Sequence, residues 1–288
     1  MPLRALAERG AVAHHAAGLR ARFTRARGEH MKKIAFWRTV GDAYRFLFGN
    51  LARFFVLSGG WLVAIALTIG ATVLLSLVSS VLAYGVAIIG AVLFYFGGVL
   101  AFAVAWHRAI LLSEPPRLSL RFGRREGRFF GYSLLIGLVF LGAALAGGIV
   151  LGGLLAAFRT GGAMIAILSP IMAIVAWGIC ARLSLALPAA AVDEPGGLLK
   201  TAWRRGKGNA VRLFFGPFVC AIPPIILQAI LQFLLGPPFW RPGMARNMTA
   251  LPLTMSLLYV ILVFAQVAVT VGFLSFSYRQ LTAGDAHA

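Results

Sequence analysis

Charge is missing where the chain is most apolar. Six long apolar stretches, roughly 54–80, 82–106, 130–157, 162–192, 214–236 and 250–277, hold no Asp, Glu, Lys or Arg apart from Arg182, toward the basic end of the fourth. Charges inside a membrane segment are the usual mark of ion pathways and proton relays. Their lack argues against a proton- or sodium-coupled pump and leaves neutral or amphipathic solutes open. Acid is scarce everywhere, with 8 Asp and Glu against 27 Lys and Arg. Cysteine is nearly absent: Cys180 and Cys220 both sit in apolar runs, outside any CxxC pair, and the five histidines show no ligand spacing. Both cysteines read as small packing residues, and no catalytic residue, cofactor or metal ligand is assigned.

What is present is apolar length. The chain is 60% apolar and 12% charged, whereas a soluble domain is about a quarter charged. A spanning helix needs roughly 20 apolar residues, so the 288 residues allow six spans in one membrane domain. Lys and Arg sort sharply among the connections. The segment before the first span, the second and fourth connections and the tail together carry 24 of the 27. Only Arg159, Arg241 and Arg246 fall on the other side. Basic loops stay cytoplasmic, so both termini are expected inside. The net charge of +19 is thereby assigned to a membrane surface, and no nucleic acid is expected.

Milder polar and small residues mark the spans. Gln228 and Gln232 lie four apart on one face of the fifth span, and Gln266 lies in the sixth. They read either as interhelical hydrogen bonding or as the lining of a polar cavity. Gly148 and Gly152 form a GxxxG that lets another helix approach, within the chain, in a homo-oligomer or in a membrane-protein partner. Pro217, Pro223 and Pro224 should kink the fifth span or make it begin late, and Ser169-Pro170 should bend the fourth. His107, beside Trp106 at a span end, reads as an interfacial histidine. Residues 1–30, rich in Ala, Arg and His, read as a disordered basic tail or as sequence ahead of a start at Met31, the alternative being a basic arm for anionic lipid or nucleic acid.

One string occurs twice. At an offset of 159, Ala43-Tyr44-Arg45 meets Ala202-Trp203-Arg204, Gly49-Asn50 meets Gly208-Asn209, and Arg53-Phe54-Phe55 meets Arg212-Leu213-Phe214. A shorter echo is Arg128-Phe129-Phe130. Each full copy follows an amphipathic stretch: Trp37, Val40, Tyr44, Leu47 and Leu51 in the first, and Leu199, Trp203, Gly206, Ala210 and Leu213 in the later one. Such helices lie in the membrane interface with basic residues toward anionic lipid, and Gly-Asn offers the bend into the span because both residues tolerate left-handed angles. Spans returning to the basic side end alike, at Glu114-Pro115 and Asp193-Glu194-Pro195, read as helix stops and counter-charges.

The expected fold is therefore all-α and integral to the membrane. About six transmembrane helices form three hairpins, each preceded by a basic amphipathic interfacial helix, in units 36–116, 117–197 and 198–283 of a domain 31–283, with a tail at 284–288. Residues expected to meet lipid headgroups are Arg45, Arg53, Arg124, Arg125, Arg128, Lys200, Trp203, Arg204, Arg205, Lys207 and Arg212.

The stretch Leu187 to Phe214 resembles a signature of bacterial polytopic membrane proteins: the membrane domain attached to some glycerophosphoryl diester phosphodiesterases, and YciC-like inner-membrane proteins. Pro188, Asp193 or Glu194, Trp203, Gly208, Asn209, Arg212 and Phe214 carry the likeness, while Ala202 stands where a Ser is often found. The resemblance implies membrane architecture. No phosphodiesterase activity follows, since no soluble stretch is long enough for a barrel. Three functions remain open: a non-enzymatic protein that organises anionic lipids or partner proteins; a transporter or channel for a neutral or amphipathic solute or lipid; and a lipid-modifying enzyme. The last would need His107 with Glu114, or Asp193 with Glu194, for acid–base work.

Overall fold

The structure is a computed structural model and describes residues 33–116, 123–158, 162–235 and 251–283. The tails 1–30 and 284–288, the start of the middle unit at 117, and the basic residues Arg159, Arg241 and Arg246 lie outside the described residues. All regular elements among the described residues are helices: α1 (Phe36–Gly49), α2 (Leu51–Ser76), α3 (Ser80–Leu93), α4 (Leu100–Leu111), α5 (Arg124–Phe158), α6 (Gly162–Leu183), α7 (Ala186–Ala191), α8 (Leu198–Arg205), α9 (Ala210–Leu235) and α10 (Leu251–Thr282). A π-helical turn, Phe94–Val99, joins α3 to α4 in one rod.

Six helices are long and apolar enough to cross a membrane: Leu51–Ser76, Ser80–Leu111, Arg124–Leu154, Ile167–Ala191, Ala210–Leu234 and Leu257–Thr282. Several begin or end inside the basic connections. Arg108 belongs to the last turn of the second span. Arg124, Arg125 and Arg128 belong to the first turns of the third, with no separate helix ahead of it among the described residues. The interfacial helix expected at the start of the middle unit falls on residues 117–122, outside the described residues. The fifth span does not begin late: α9 starts at Ala210 and runs through Pro217, Pro223 and Pro224.

The core gathers at the end of the bundle that carries the basic connections. Phe102, Trp106, Leu185, Leu198, Leu213, Phe264 and Phe273 are fully enclosed there. Toward the other end, large apolar side chains such as Leu67, Ile88, Ile149, Ile167 and Phe233 lie open, as lipid-facing residues do. α10 is the central helix, packed on α1, α4 and α9. The helix α1 is seated on it rather than lying free. Its buried stripe is Thr39, Ala43 and Leu47, while Trp37 of the expected stripe is 74% exposed. Gln280 on α10 accepts from Ala35 N–H at 3.0 Å and donates to Thr39 Oγ1 at 2.8 Å.

The offset of 159 reappears in the packing. Thr39 and Leu198, Ala43 and Ala202, Leu47 and Gly206, and Phe54 and Leu213 are all buried. Phe129, in the short echo, is buried too. The bend itself differs between copies. Gly208 takes the left-handed angle, φ +76°, but Gly49 ends α1 as a helical residue and Asn50 makes the corner at φ −132°, its Nδ2 donating to Phe46 O at 2.9 Å. Asn209 instead reaches across the sequence, its Oδ1 accepting from Ile34 N–H at 2.9 Å in a buried position.

Close helix approach uses other glycines than the GxxxG. A Cβ on Gly216 would stand 1.9 Å from the Phe273 ring, and one on Gly97 would stand 2.7 Å from Trp61. Gly148 and Gly152 have no such neighbour within 4 Å, so the GxxxG face is not used for packing within the described residues. Pro224 supplies no N–H to the carbonyl of Cys220, four residues earlier. Tyr44 Oη fills that place at 2.6 Å, the neighbouring-helix repair that lets proline sit in a spanning helix. Burial pushes the Tyr44 hydroxyl up to about 12, so it stays a donor at neutral pH.

Two outcomes check this packing. G216V overpacks the α9–α10 seam and should lower stability by about 1–3 kcal/mol, whereas G148A should change it by under about 0.5 kcal/mol, both read from thermal unfolding in detergent. Y44F leaves the Cys220 carbonyl unpaired and should cost about 1–3 kcal/mol by the same assay; an unchanged midpoint would remove Tyr44 from the fold's supports.

Candidate functional site

The functional groups converge where two helices stop. α4 is capped by Leu112, and Ser113 follows with φ +54°. α7 is capped by Val192, and Asp193 follows with φ +59°. After α7, Asp193 N–H donates to Ala190 O and Glu194 N–H to Ala189 O, at 3.3 and 3.0 Å. This crossed pair of bonds satisfies carbonyls left over at a helix end and needs a left-handed residue at that point. In each loop a glutamate and then a proline come next, Glu114-Pro115 and Glu194-Pro195. Proline prevents the helix from resuming, so both carboxylates are held beside the end of the bundle.

Arg108 fills the space between the two loops. Only 8% exposed, it grips Glu114 with two nitrogens: Nε donates to Oε2 at 2.8 Å and Nη2 donates to Oε1. Its Nη1 donates to Ala191 O at 2.7 Å and to Asp193 Oδ2 at 3.2 Å. Arg125 Nε meets the same Asp193 oxygen at 3.0 Å. Arg128 Nη2 donates to Glu194 O at 2.7 Å. The Glu194 carboxylate takes Arg205 Nη1 at 2.9 Å and the Tyr278 hydroxyl at 2.6 Å. The four residues Ala191 to Glu194 thus tie together the end of α4, the start of α5, the end of α8 and the end of α10.

A second polar pair lies behind this ring. His107 is fully buried among side chains, and its Nδ1 is 2.7 Å from Ser275 Oγ. Ser275 Oγ also donates to Val271 O at 2.9 Å. His107 Nε2 and Ser277 Oγ have no hydrogen-bond partner. His107 is not brought to Glu114, which is held by Arg108, and the Asp193–Glu194 pair is likewise engaged with arginines. Among the described residues no group of three or more His, Cys, Asp and Glu is placed to hold a metal ion.

The chain has no match among family models, curated proteins or solved structures.

The other expected residues divide into two sets. Arg125, Arg128 and Arg205 are engaged in the ring, and Arg45 pairs with Asp42 at 3.1 Å. Arg124, Lys200, Trp203, Arg204 and Lys207 are exposed, while Arg53 and Arg212 are half-buried. Trp203 carries Arg182 over its ring at 3.6 Å and accepts from Arg182 Nη2 through its carbonyl at 2.6 Å. Gln228 Nε2 donates to Gln266 Oε1 at 3.2 Å, while Gln232 is exposed. Gln266 borders a cavity of about 400 Å³ whose surface is almost wholly apolar, not a polar one. Sequence reasoning passed over Arg108 and Tyr278 as partners. The signal that points to them is the scarcity of acid: with so few carboxylates, each one beside a span end has to be matched to a cation.

Replacing Arg108 leaves Glu114 and Asp193 facing one another without their shared cation. R108M should therefore cost about 1–3 kcal/mol, since both carboxylates left behind are more than a third exposed. Asp193 is nearly half exposed, so D193N should cost about 1 kcal/mol. Thermal unfolding of the two variants, compared side by side, checks the ranking; equal midpoints would mean the ring is ornamental.

Proposed function

We propose that this protein is a multi-pass inner-membrane protein, with both termini in the cytoplasm, that organises anionic lipids or a membrane partner around a basic cytoplasmic face. The reading takes three hairpins built on an internal repeat. The observation that carries it is the charge balance at the basic end. The described carboxylates are Asp42, Glu114, Glu126, Asp193 and Glu194. Of these, Asp42, Glu114, Asp193 and Glu194 are matched to arginines, and Glu126 caps its own helix through Gly123 N–H at 2.8 Å. Arg53, Arg124, Lys200, Arg204 and Lys207 then stand with no ion pair among the described residues, and Trp37, Phe48 and Trp203 are exposed apolar side chains. Basic residues interleaved with exposed aromatics at the end of a spanning bundle suit an anionic headgroup layer. The family resemblance carried by Pro188, Trp203, Gly208, Asn209 and Arg212 supports the same architecture and brings no activity with it.

The test spares the ring. K200Q/R204Q/K207Q removes three exposed cations, each worth roughly 1 kcal/mol at an anionic surface, and leaves Arg205 on Glu194. Co-purified phosphatidylglycerol should fall several-fold, with the unfolding midpoint unchanged. Single cysteines at 33 and 283 should label only from the cytoplasmic side. Unchanged lipid, or labelling from outside, would refute the reading.

A further inference from the structure

We infer that the half of the α2–α3 hairpin away from the basic end is a lid. It swings on a hinge line that crosses both helices, and it closes the cleft between α3 and α5. This goes beyond the lipid-facing role proposed above and does not depend on it.

The hinge line is written into both helices. In the second span the ladder is interrupted by the π-helical turn Phe94–Val99, which contains Gly97 and Gly98. In α2 the string Ser58-Gly59-Gly60 lies at the same level, because the next residue, Trp61, covers both glycines of the turn. A Cβ on Gly97 would stand 2.7 Å from the Trp61 ring, and one on Gly98 3.3 Å. Helices bend at π-turns and at Gly/Ser pairs. Ser58 Oγ also donates to Phe54 O at 2.9 Å, a back-bond that bends helices. Trp61 Nε1 is enclosed with no hydrogen-bond partner, so no hydrogen bond fixes its ring against the glycines. Burial changes at the same line. On the basic side Phe54, Leu57 and Ser58 are buried, as are residues 101–110 of α4 save Ala105, and Arg108 ties α4 to two loops. On the other side only Ala83 is buried among residues 61–93. No apolar residue of α2 beyond Ile65, and none of α3, packs against the core. There α2 and α3 lean on each other, and a Cβ on Gly90 would stand 2.1 Å from Thr68. The hairpin beyond the line is therefore a unit of its own, joined to the bundle through two bendable points.

The cleft beside this unit has a volume of about 640 Å³ and an almost wholly apolar surface. The second span borders it with Phe96, Val92 and Ala91, and α5 faces them with Phe130, Ser133 and Gly137, two stripes at helical spacing. At the hinge end Phe96 and Phe130 already meet edge to face, with ring centroids 5.8 Å apart. Farther out the facing residues Ala91, Ser133 and Gly137 are small, and a Cβ on Gly137 would meet nothing within 4 Å. Ser133 Oγ donates to Phe129 O at 2.9 Å, so closure strands no polar group. A swing about the hinge line carries Ala91 and Val92 onto Ser133 and Gly137, the close approach that small residues allow between spanning helices. Lipid tails and apolar side chains are nearly equivalent neighbours for a spanning helix. The open and closed arrangements therefore lie close in energy, and a modest differential contact suffices to shift between them.

The experiment is pulsed electron–electron spin resonance on the whole protein in lipid nanodiscs, in a C180A/C220A background. Nitroxide labels go on L82C/L141C, two exposed positions on α3 and α5. F55C/F215C, exposed positions on the basic side of the hinge line, is the reference pair. From Phe96 to Leu82 the arm is about 21 Å long at 1.5 Å per residue. A bend of about 20° on that arm moves its tip by about 7 Å. The L82C/L141C pair should therefore show two distances about 7 Å apart, and the reference pair one. S58A/G59A removes the bend signals from α2, and a Cβ on Gly59 meets nothing within 4 Å. It should merge the two distances into one and leave the reference pair unchanged. L134W fills the cleft without touching the hinge line and should leave only the longer distance. A single distance in the parent protein overturns the lid, as do two distances in the reference pair or two distances that survive both variants. If S58A/G59A also moves the reference pair, L134W decides alone: loss of the shorter distance upholds the lid, and its persistence refutes it.

Discussion

The bundle depends on a charged group buried where it is expensive to bury one. Arg108 stands at the boundary of the apolar layer, and taking a guanidinium out of water costs several kcal/mol unless its donors are met. Here they are met by a two-nitrogen grip on Glu114, by the Ala191 carbonyl and by Asp193. These acceptors come from the ends of α4 and α7, so satisfying one arginine positions two loops. Glu194, next in the chain, then collects Arg205 and Tyr278. The ring is local in space but joins residues far apart in sequence, and for that reason the core is densest beside it.

That arrangement explains why the two ends of the bundle differ. At the basic end helices are tied by ion pairs, by the Tyr44–Cys220 bond and by Gly216 under Phe273. Away from it the helices expose Leu, Ile and Val side chains. Between apolar side chains and lipid tails there is little hydrophobic preference for helix over lipid, so where polar ties are missing nothing forces the helices together. Open clefts such as the one between α3 and α5 are the natural result.

The two copies of the Gly-Asn string show how far a sequence echo carries. Their buried positions coincide at the offset of 159, from Thr39 and Leu198 through Phe54 and Leu213. Their asparagines do different work: Asn50 closes its own helix end, while Asn209 holds Ile34. The two strings bury matching positions because helical spacing keeps residues three and four apart on one face, whichever face is buried. The hydrogen bonds depend on what lies opposite, and the chain that enters α1 has no counterpart ahead of α8.

Run length and the lack of internal charge determined the six spanning helices, since nothing but a bilayer or a very large core accommodates so many apolar helices. The acid-proline pairs marked where helices stop, because proline cannot continue one. Tertiary structure alone decided which acid holds which arginine, that His107 is enclosed against Ser275, and that Gly216 rather than Gly148 is the close contact. It also decided that the stripe of α1 is centred on Ala43 and not on Trp37. Several of those choices turn on partners far away in the chain, such as Asp193 for Arg108, Ser275 for His107 and Gln280 for Thr39, and local periodicity carries no information about what a helix face will meet.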